Sequence, residues 1–124
     1  MSLTIEVEPS LPFSNTLRLE GRLDNETAKT LDEELEKALA TPVKVLVFDL
    51  AKLDYISSAG ISSILKAQKA MAARKGKTLF GYLQPGVKKV FDIVKAVDLS
   101  TVFASIEELD DYLDAIQKQL KEQG

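Results

Sequence analysis

The chain has no cysteine and no histidine. Metal sites, nucleophiles and neutral-pH bases that rely on thiolate or imidazole are therefore excluded, and with them most ordinary hydrolase designs. A surplus of positive charge is lacking too: 16 Lys and Arg stand against 19 Asp and Glu, for a formal net charge of −3. Nucleic-acid binding rests on neutralising phosphates with cations, so this balance leaves no electrostatic footprint for it. No apolar run approaches the roughly 20 residues that span a bilayer, and no basic-then-apolar leader opens the chain. Direct membrane insertion is not expected, and the expected location is the cytoplasm.

The 124 residues are 45% hydrophobic and 28% charged. That is the composition of a globular protein, and the length suits one domain, taken as 1–124, able to bury a core without covalent staples. No repeat, linker or low-complexity segment interrupts it.

Alternation at Thr4–Glu8 and Thr16–Glu20, with Pro9, Pro12, Ser14 and Asn15 between, predicts two strands joined by a turn. Asp24-Asn25 offers a cap for a helix whose stripe is Ala28, Leu31, Leu35, Ala38 and Leu39, ending near Thr41-Pro42. Val43–Phe48 is nearly continuous apolar, which predicts a central strand covered on both faces. A second helix is expected from Ser57 or Ser58 to about Lys75, burying Ile61, Ile64, Leu65 and Met71, with Gly76 as its stop. Thr78–Leu83 reads as a strand, Pro85-Gly86 as the start of a third helix, and Thr101–Phe103 as a short last strand. Ser105-Ile106-Glu107-Glu108 is a capping box for a fourth helix with Leu109, Leu113, Ile116 and Leu120 inward.

This order predicts an α/β fold: a mixed, mostly parallel sheet of about five strands carrying four helices. Functional groups in such sheets gather beyond the carboxyl ends of the strands, here at 21–25, 50–58 and 83–87. The middle segment contains the most unusual stretch of the chain, Tyr55-Ile56-Ser57-Ser58-Ala59-Gly60-Ile61-Ser62-Ser63.

Serines this dense have several readings. One of them simply caps the second helix through its hydroxyl. A catalytic nucleophile fails because no histidine exists to activate it. A phosphate-cradling loop fails because the G-x-x-x-x-G-K-[ST] pattern is absent. A receiver domain phosphorylated at Asp49 lacks the accompanying acidic pair and lysine. The remaining reading makes a hydroxyl the substrate of a kinase, since a helix N-terminus tolerates a dianion. The acids Asp110, Asp111 and Asp114 read as the solvated face of the fourth helix, and Lys66, Lys69, Arg74, Lys75 and Lys77 as the wet side of the second, the alternative being a face that meets an acidic partner.

Three groups of residues, at matching separations, then carry a resemblance. They are Gly21-Arg22-Leu23-Asp24, the run Val45–Leu50 followed by Leu53–Ile61, and Val87–Ile93. With them the chain resembles the STAS domain of bacterial anti-sigma-factor antagonists along nearly its whole length. The resemblance implies a non-enzymatic binding protein, without cofactor, metal or catalytic residues. Its partners would be an anti-sigma factor that is also a serine kinase, and a phosphatase. The family motif Asp-Ser-[Ser/Ala]-Gly-Leu places the phosphoacceptor at Ser58, with Asp24, Asn25, Ser57, Ala59, Gly60 and Ile61 completing the partner-binding set. Asp24 matches a retained acidic position, whereas Ser57 stands where the family carries an acid. Ser57, Ser62 and Ser63 compete with Ser58 as acceptors. The other reading is a constitutive STAS adaptor or structural subunit of a transport or stress-signalling complex.

Overall fold

The computed structural model describes residues 3–11, 13–97 and 102–123. Strands β1 (Leu3–Leu11) and β2 (Ser14–Leu23) form an antiparallel pair, and both run longer than their alternation suggests. Helix α1 (Ala28–Leu39) leads to β3 (Val45–Ile56), which lies parallel to β2. Helix α2 (Ser58–Ala73), strand β4 (Lys77–Gly81), helix α3 (Pro85–Ala96) and helix α4 (Ile106–Gln123) complete the order. The sheet runs β1-β2-β3-β4, with β4 parallel to β3.

Alternation decides which side of the sheet is packed. Leu17 and Leu19 of β2 and Leu46, Phe48 and Leu50 of β3 point into one core. Leu31 and Leu35 of α1, Ile61, Ile64 and Met71 of α2, Val87 and Val90 of α3 and Leu113 of α4 meet them there. An aromatic row crosses this face: Phe48 stacks on Phe80 at 5.3 Å, and Phe80 meets the edge of Phe91 at 5.2 Å. The opposite row carries Thr16, Arg18, Val47 and Asp49, where Arg18 pairs with Glu8 and, at 3.6 Å, with Asp49. β3 is thus central but fully covered on one face only, contrary to the expectation from its apolar run. Its second-face valines are half-buried and tolerated there because β-branched residues suit any pleated surface.

Other expectations change. Among the described residues the sheet has four strands: of the expected strand Thr101–Phe103, Thr101 lies outside the described residues, Val102 is helical and Phe103 is not in a strand. β4 stops at Gly81 because Tyr82 takes a left-handed conformation, φ 60°. At the end of α2 the left-handed residue is Lys75, φ 58°, while Gly76 is needed for space, since a Cβ there would lie 2.7 Å from the Lys44 carbonyl oxygen. Leu65 is exposed rather than buried. Arg74 leaves the wet side of α2: its guanidinium donates to the carbonyls of Leu39 (2.7 Å) and Thr41 (2.9 Å), closing the C-terminal end of α1.

The change that matters most for the site is the length of β3. Residues 50–56 are strand rather than loop, and only Ser57 separates β3 from α2. The pairing with β2 shifts register between Arg18 and Glu20 and again between Gly21 and Arg22. Gly21, at φ 112°, supplies a backbone conformation few other residues adopt. In β3 the matching break leaves Ala51 and Lys52 both exposed while Leu50 and Leu53 are both buried.

Candidate functional site

β3 outruns β4, so its last residues have no strand on one side. Two glutamines supply the missing partners. Gln84 donates its amide to the Ala51 carbonyl at 2.9 Å. Gln117, buried on α4, accepts from the Ile56 N–H and donates to the Ile56 carbonyl, each at 2.9 Å, and its amide also reaches the Leu113 carbonyl at 3.0 Å. On the other side, β2 pairs Leu23 with Ile56, and the Ser57 N–H donates to the Leu23 carbonyl at 2.8 Å. The point at which α2 begins is therefore fixed from both flanks.

Between the two serines the cap falls to Ser57. It is extended, 3% exposed, and its hydroxyl accepts from the Gly60 N–H at 3.3 Å. Gly60 is required by closeness: a Cβ would stand 2.6 Å from Leu23 Cγ and 3.0 Å from Ile56 Cγ1. The small residues of this stretch let α2 start directly against the strand ends. Ser58 is the first helical residue and half-buried, and its N–H donates to Asp110 Oδ1 of α4 at 2.9 Å. Ser63 is 2% exposed and turned to the Ala59 carbonyl, while Ser62 is exposed.

Beside the α2 start, Asp24 organises the turn into α1. Helix α1 begins only at Ala28, yet the Asp24 carboxylate does the capping, accepting from the N–H groups of Glu26 and Thr27 at 3.0 Å each. The Thr27 hydroxyl accepts from the Asp24 N–H at 2.8 Å and donates to the Arg22 carbonyl at 2.7 Å. Partial burial works to raise the pKa of Asp24, but the Thr27 and Glu26 donors and nearby Arg22 together hold it below the usual carboxylate range. The Arg22 guanidinium lies 3.9 Å from the centre of the Tyr55 ring and 4.0 Å from Asp24 Oδ2. Burial, then the charges of Asp114 and Asp110, push the Tyr55 phenol up.

Two hollows flank the start of α2. One, of about 450 Å³, is polar and bounded by Arg22, Asp24, Asn25, Tyr55, Ser57 and Asp110. The other, of about 780 Å³, is a largely apolar groove with Asn25, Ser58 and Ser62 at its polar end and Leu65, Val97 and Ile106 along it. Of the residues proposed from the sequence, Asn25, Ser58, Ala59 and Ile61 meet in the groove, and Asp24, Asn25 and Ser57 in the polar hollow. Ser57, Gly60 and Ile61 are buried, so they shape the surface more than they present it. Sequence reasoning missed Arg22, Tyr55, Asp110 and Gln117. Asp110 reads in the sequence as part of a solvated face, and its partner Ser58 lies 52 residues away, beyond any local pattern. Among the described residues no group of three or more acids could hold a metal ion, and no helix is long and apolar enough to cross a membrane.

Comparison with known proteins finds similar sequences and similar folds. A family model described as the STAS domain matches residues 4–109. A protein of Bordetella bronchiseptica described as a candidate anti-sigma factor antagonist, BtrV, is 35% identical over 75 residues. The match takes in 60% of this chain and 65% of that relative, just under two thirds of the relative's length. Among solved structures, the anti-sigma factor antagonist SpoIIAA in its unphosphorylated form superposes with a TM-score of 0.69 at 22% identity, covering 74% of this chain and 81% of that one. An anti-sigma factor antagonist from Mycobacterium paratuberculosis gives 0.65 at 21% identity, covering 93% and 94%. At these identities the structural likeness speaks to the fold.

Proposed function

The chain belongs to the STAS domain family, and from that premise we propose that it is a regulatory binding protein of the anti-sigma-factor-antagonist kind, switched by phosphorylation of Ser58. The observation that carries the reading is the division of labour between adjacent serines. Ser57 is buried and occupied as the helix cap, whereas Ser58 is only half-buried and sits at the polar end of the groove, beside the polar hollow. A partner seated on the start of α2 would cover both.

The chemistry needs nothing from this chain except a reachable hydroxyl. A partner kinase brings a nucleoside triphosphate; the Ser58 Oγ takes the terminal phosphoryl group, its proton passes to a base on the kinase, and the nucleoside diphosphate departs. A phosphatase reverses the state with water. The phosphate adds roughly −1.5 to −2 charges at neutral pH, beside a hollow that already holds Asp24 and Asp110. Repulsion and lost burial of about 3 to 4 kcal/mol in a docked interface would weaken binding by roughly two to three decades. The partner class proposed is an anti-sigma factor with serine-kinase activity.

The test offers the protein and its Ser58→Ala and Ser58→Asp variants to the serine kinases of its own genome, and measures partner binding for each. Ser58→Ala is expected to take up no phosphate and to bind as the parent does; Ser58→Asp is expected to lose binding. If Ser58→Ala is phosphorylated as well as the parent and Ser58→Asp binds every partner as tightly, the switch is wrong. A partner held equally by all three forms would support a constitutive adaptor instead, for which the apolar groove beside Ser58 is the favouring observation.

A further inference from the structure

Helix α4 grips the segment that carries Ser58 at two points. Gln117 holds both backbone groups of Ile56, and Asp110, two turns earlier on the same side of the helix, takes the Ser58 N–H at 2.9 Å. The first of these contacts is neutral and buried. The second sets a carboxylate at the amino end of α2, the position that the free N–H groups and the dipole of a helix offer to an anion. The seat is thus already taken, from within the chain, at the residue proposed above as the phosphoacceptor.

We propose that Asp110 is the positioning residue of the switch: it holds the start of α4 against α2 in the unmodified protein, and a phosphate on Ser58 evicts it. This rests on the Ser58 reading. A phosphate at the first residue of a helix is tethered within reach of that residue's own N–H, so its effective concentration there exceeds that of a carboxylate arriving from another helix. One N–H cannot serve two anions, and the two repel each other. Of the described side chains lining the polar hollow Arg22 is the only cation, and it is engaged over Tyr55 and beside Asp24. Gln117 holds backbone groups of Ile56 and Leu113 and not those of Ser58, so the later turns of α4 stay anchored while the first turns come away. Ile106 and Leu109, on those first turns, line the same groove as Ser58. Eviction of Asp110 therefore changes the shape of the groove as well as its charge.

The experiment places phosphoserine at position 58 of the full chain during translation, so that no kinase is needed, and follows amide hydrogen exchange by NMR. Phosphoserine is expected to speed exchange of the amides of residues 110–113 about tenfold or more, with those of 117–120 changing less than about twofold. In Asp110→Asn the neutral side chain still accepts from the Ser58 N–H and can donate to the phosphate, so the phosphate-induced change is expected to fall below about twofold. In Asp110→Ala exchange at 110–113 is fast before modification and phosphate adds nothing. Unchanged exchange at 110–113 in the phosphorylated parent, or an increase of equal size in the Asp110→Asn variant, overturns the proposal. Neither result depends on whether a kinase or partner recognises Ser58, which the binding experiment above decides separately.

Discussion

Gln117 of α4 holds the N–H and the carbonyl of Ile56 in one side-chain amide, both at 2.9 Å. An amide side chain can do this because it offers a donor and an acceptor side by side, as a neighbouring strand would. The contact fixes where β3 ends and hence where α2, with Ser58, begins. Replacing Gln117 with Leu leaves two buried backbone groups unpaired, at about 1–3 kcal/mol each. Chemical denaturation should show Gln117→Leu less stable by about 2–6 kcal/mol; a loss under about 0.5 kcal/mol would mean that water or another group takes over.

Gly60 and Leu23 constrain each other in a similar way. A Cβ on residue 60 would overlap Leu23 Cγ at 2.6 Å and Cδ2 at 2.9 Å. Gly60→Ala therefore should cost about 1–3 kcal/mol by overpacking. Removing the obstructing atoms with Leu23→Ala makes the cavity that the new methyl partly fills, so the double variant should be more stable than the sum of the two single losses. Strict additivity in a double-mutant cycle would show that the two residues are not in conflict.

These two contacts also show what the sequence could and could not disclose. The helices were legible because their apolar stripes recur at helical spacing, as in Leu31 and Leu35 or Val87 and Val90. Ser57 or Ser58 as a cap was legible because hydroxyls favour that position. The reach of β3 to Ile56 was not, because a register shift exposes Ala51 and Lys52 together and breaks the alternation on which strand reading depends. Val45 and Val47 misled in the other direction, since a valine on a half-exposed face looks the same in sequence as one in a closed core. Gln117 and Asp110 carried no signal at all: a polar residue on an amphipathic helix reads as solvated unless its distant partner is known.

Asp24 makes a prediction about acid. Its folded pKa lies below the usual value despite partial burial, through its hydrogen bonds to Thr27 and Glu26 and the charge of Arg22. In the unfolded chain the group titrates at about 3.9. The unfolded state thus binds the proton first, and the stabilisation is present above about pH 4 and drains away as the pH falls through the lower, folded value. Asp24→Asn should be less stable than the parent at pH 7, and the gap between the two should narrow below about pH 4. Denaturation midpoints measured at about pH 7 and about pH 3 decide it; a gap of the same size at both would mean that the charge of Asp24 contributes nothing.

The neighbouring serines should separate cleanly when each is changed alone. Ser57 is sealed by the strand ends and its hydroxyl satisfies the Gly60 N–H, so Ser57→Ala removes a cap and should destabilise the protein by about 1 kcal/mol. Ser58 meets Asp110 through its backbone N–H, a bond that alanine retains, so Ser58→Ala should change stability by less than about 0.5 kcal/mol. Phosphate uptake should follow the opposite order. Ser57 and Ser63 are buried and hydrogen-bonded, which leaves Ser58 and the exposed Ser62 as the acceptors a kinase can reach in this stretch. Mass spectrometry of the kinase-treated parent and of the Ser57→Ala, Ser58→Ala and Ser62→Ala variants locates the phosphate, and melting of the same samples gives the stability. Phosphate on Ser57 in the folded protein would require the cap to open first, and finding it there would show that the start of α2 unfolds on the time scale of the kinase.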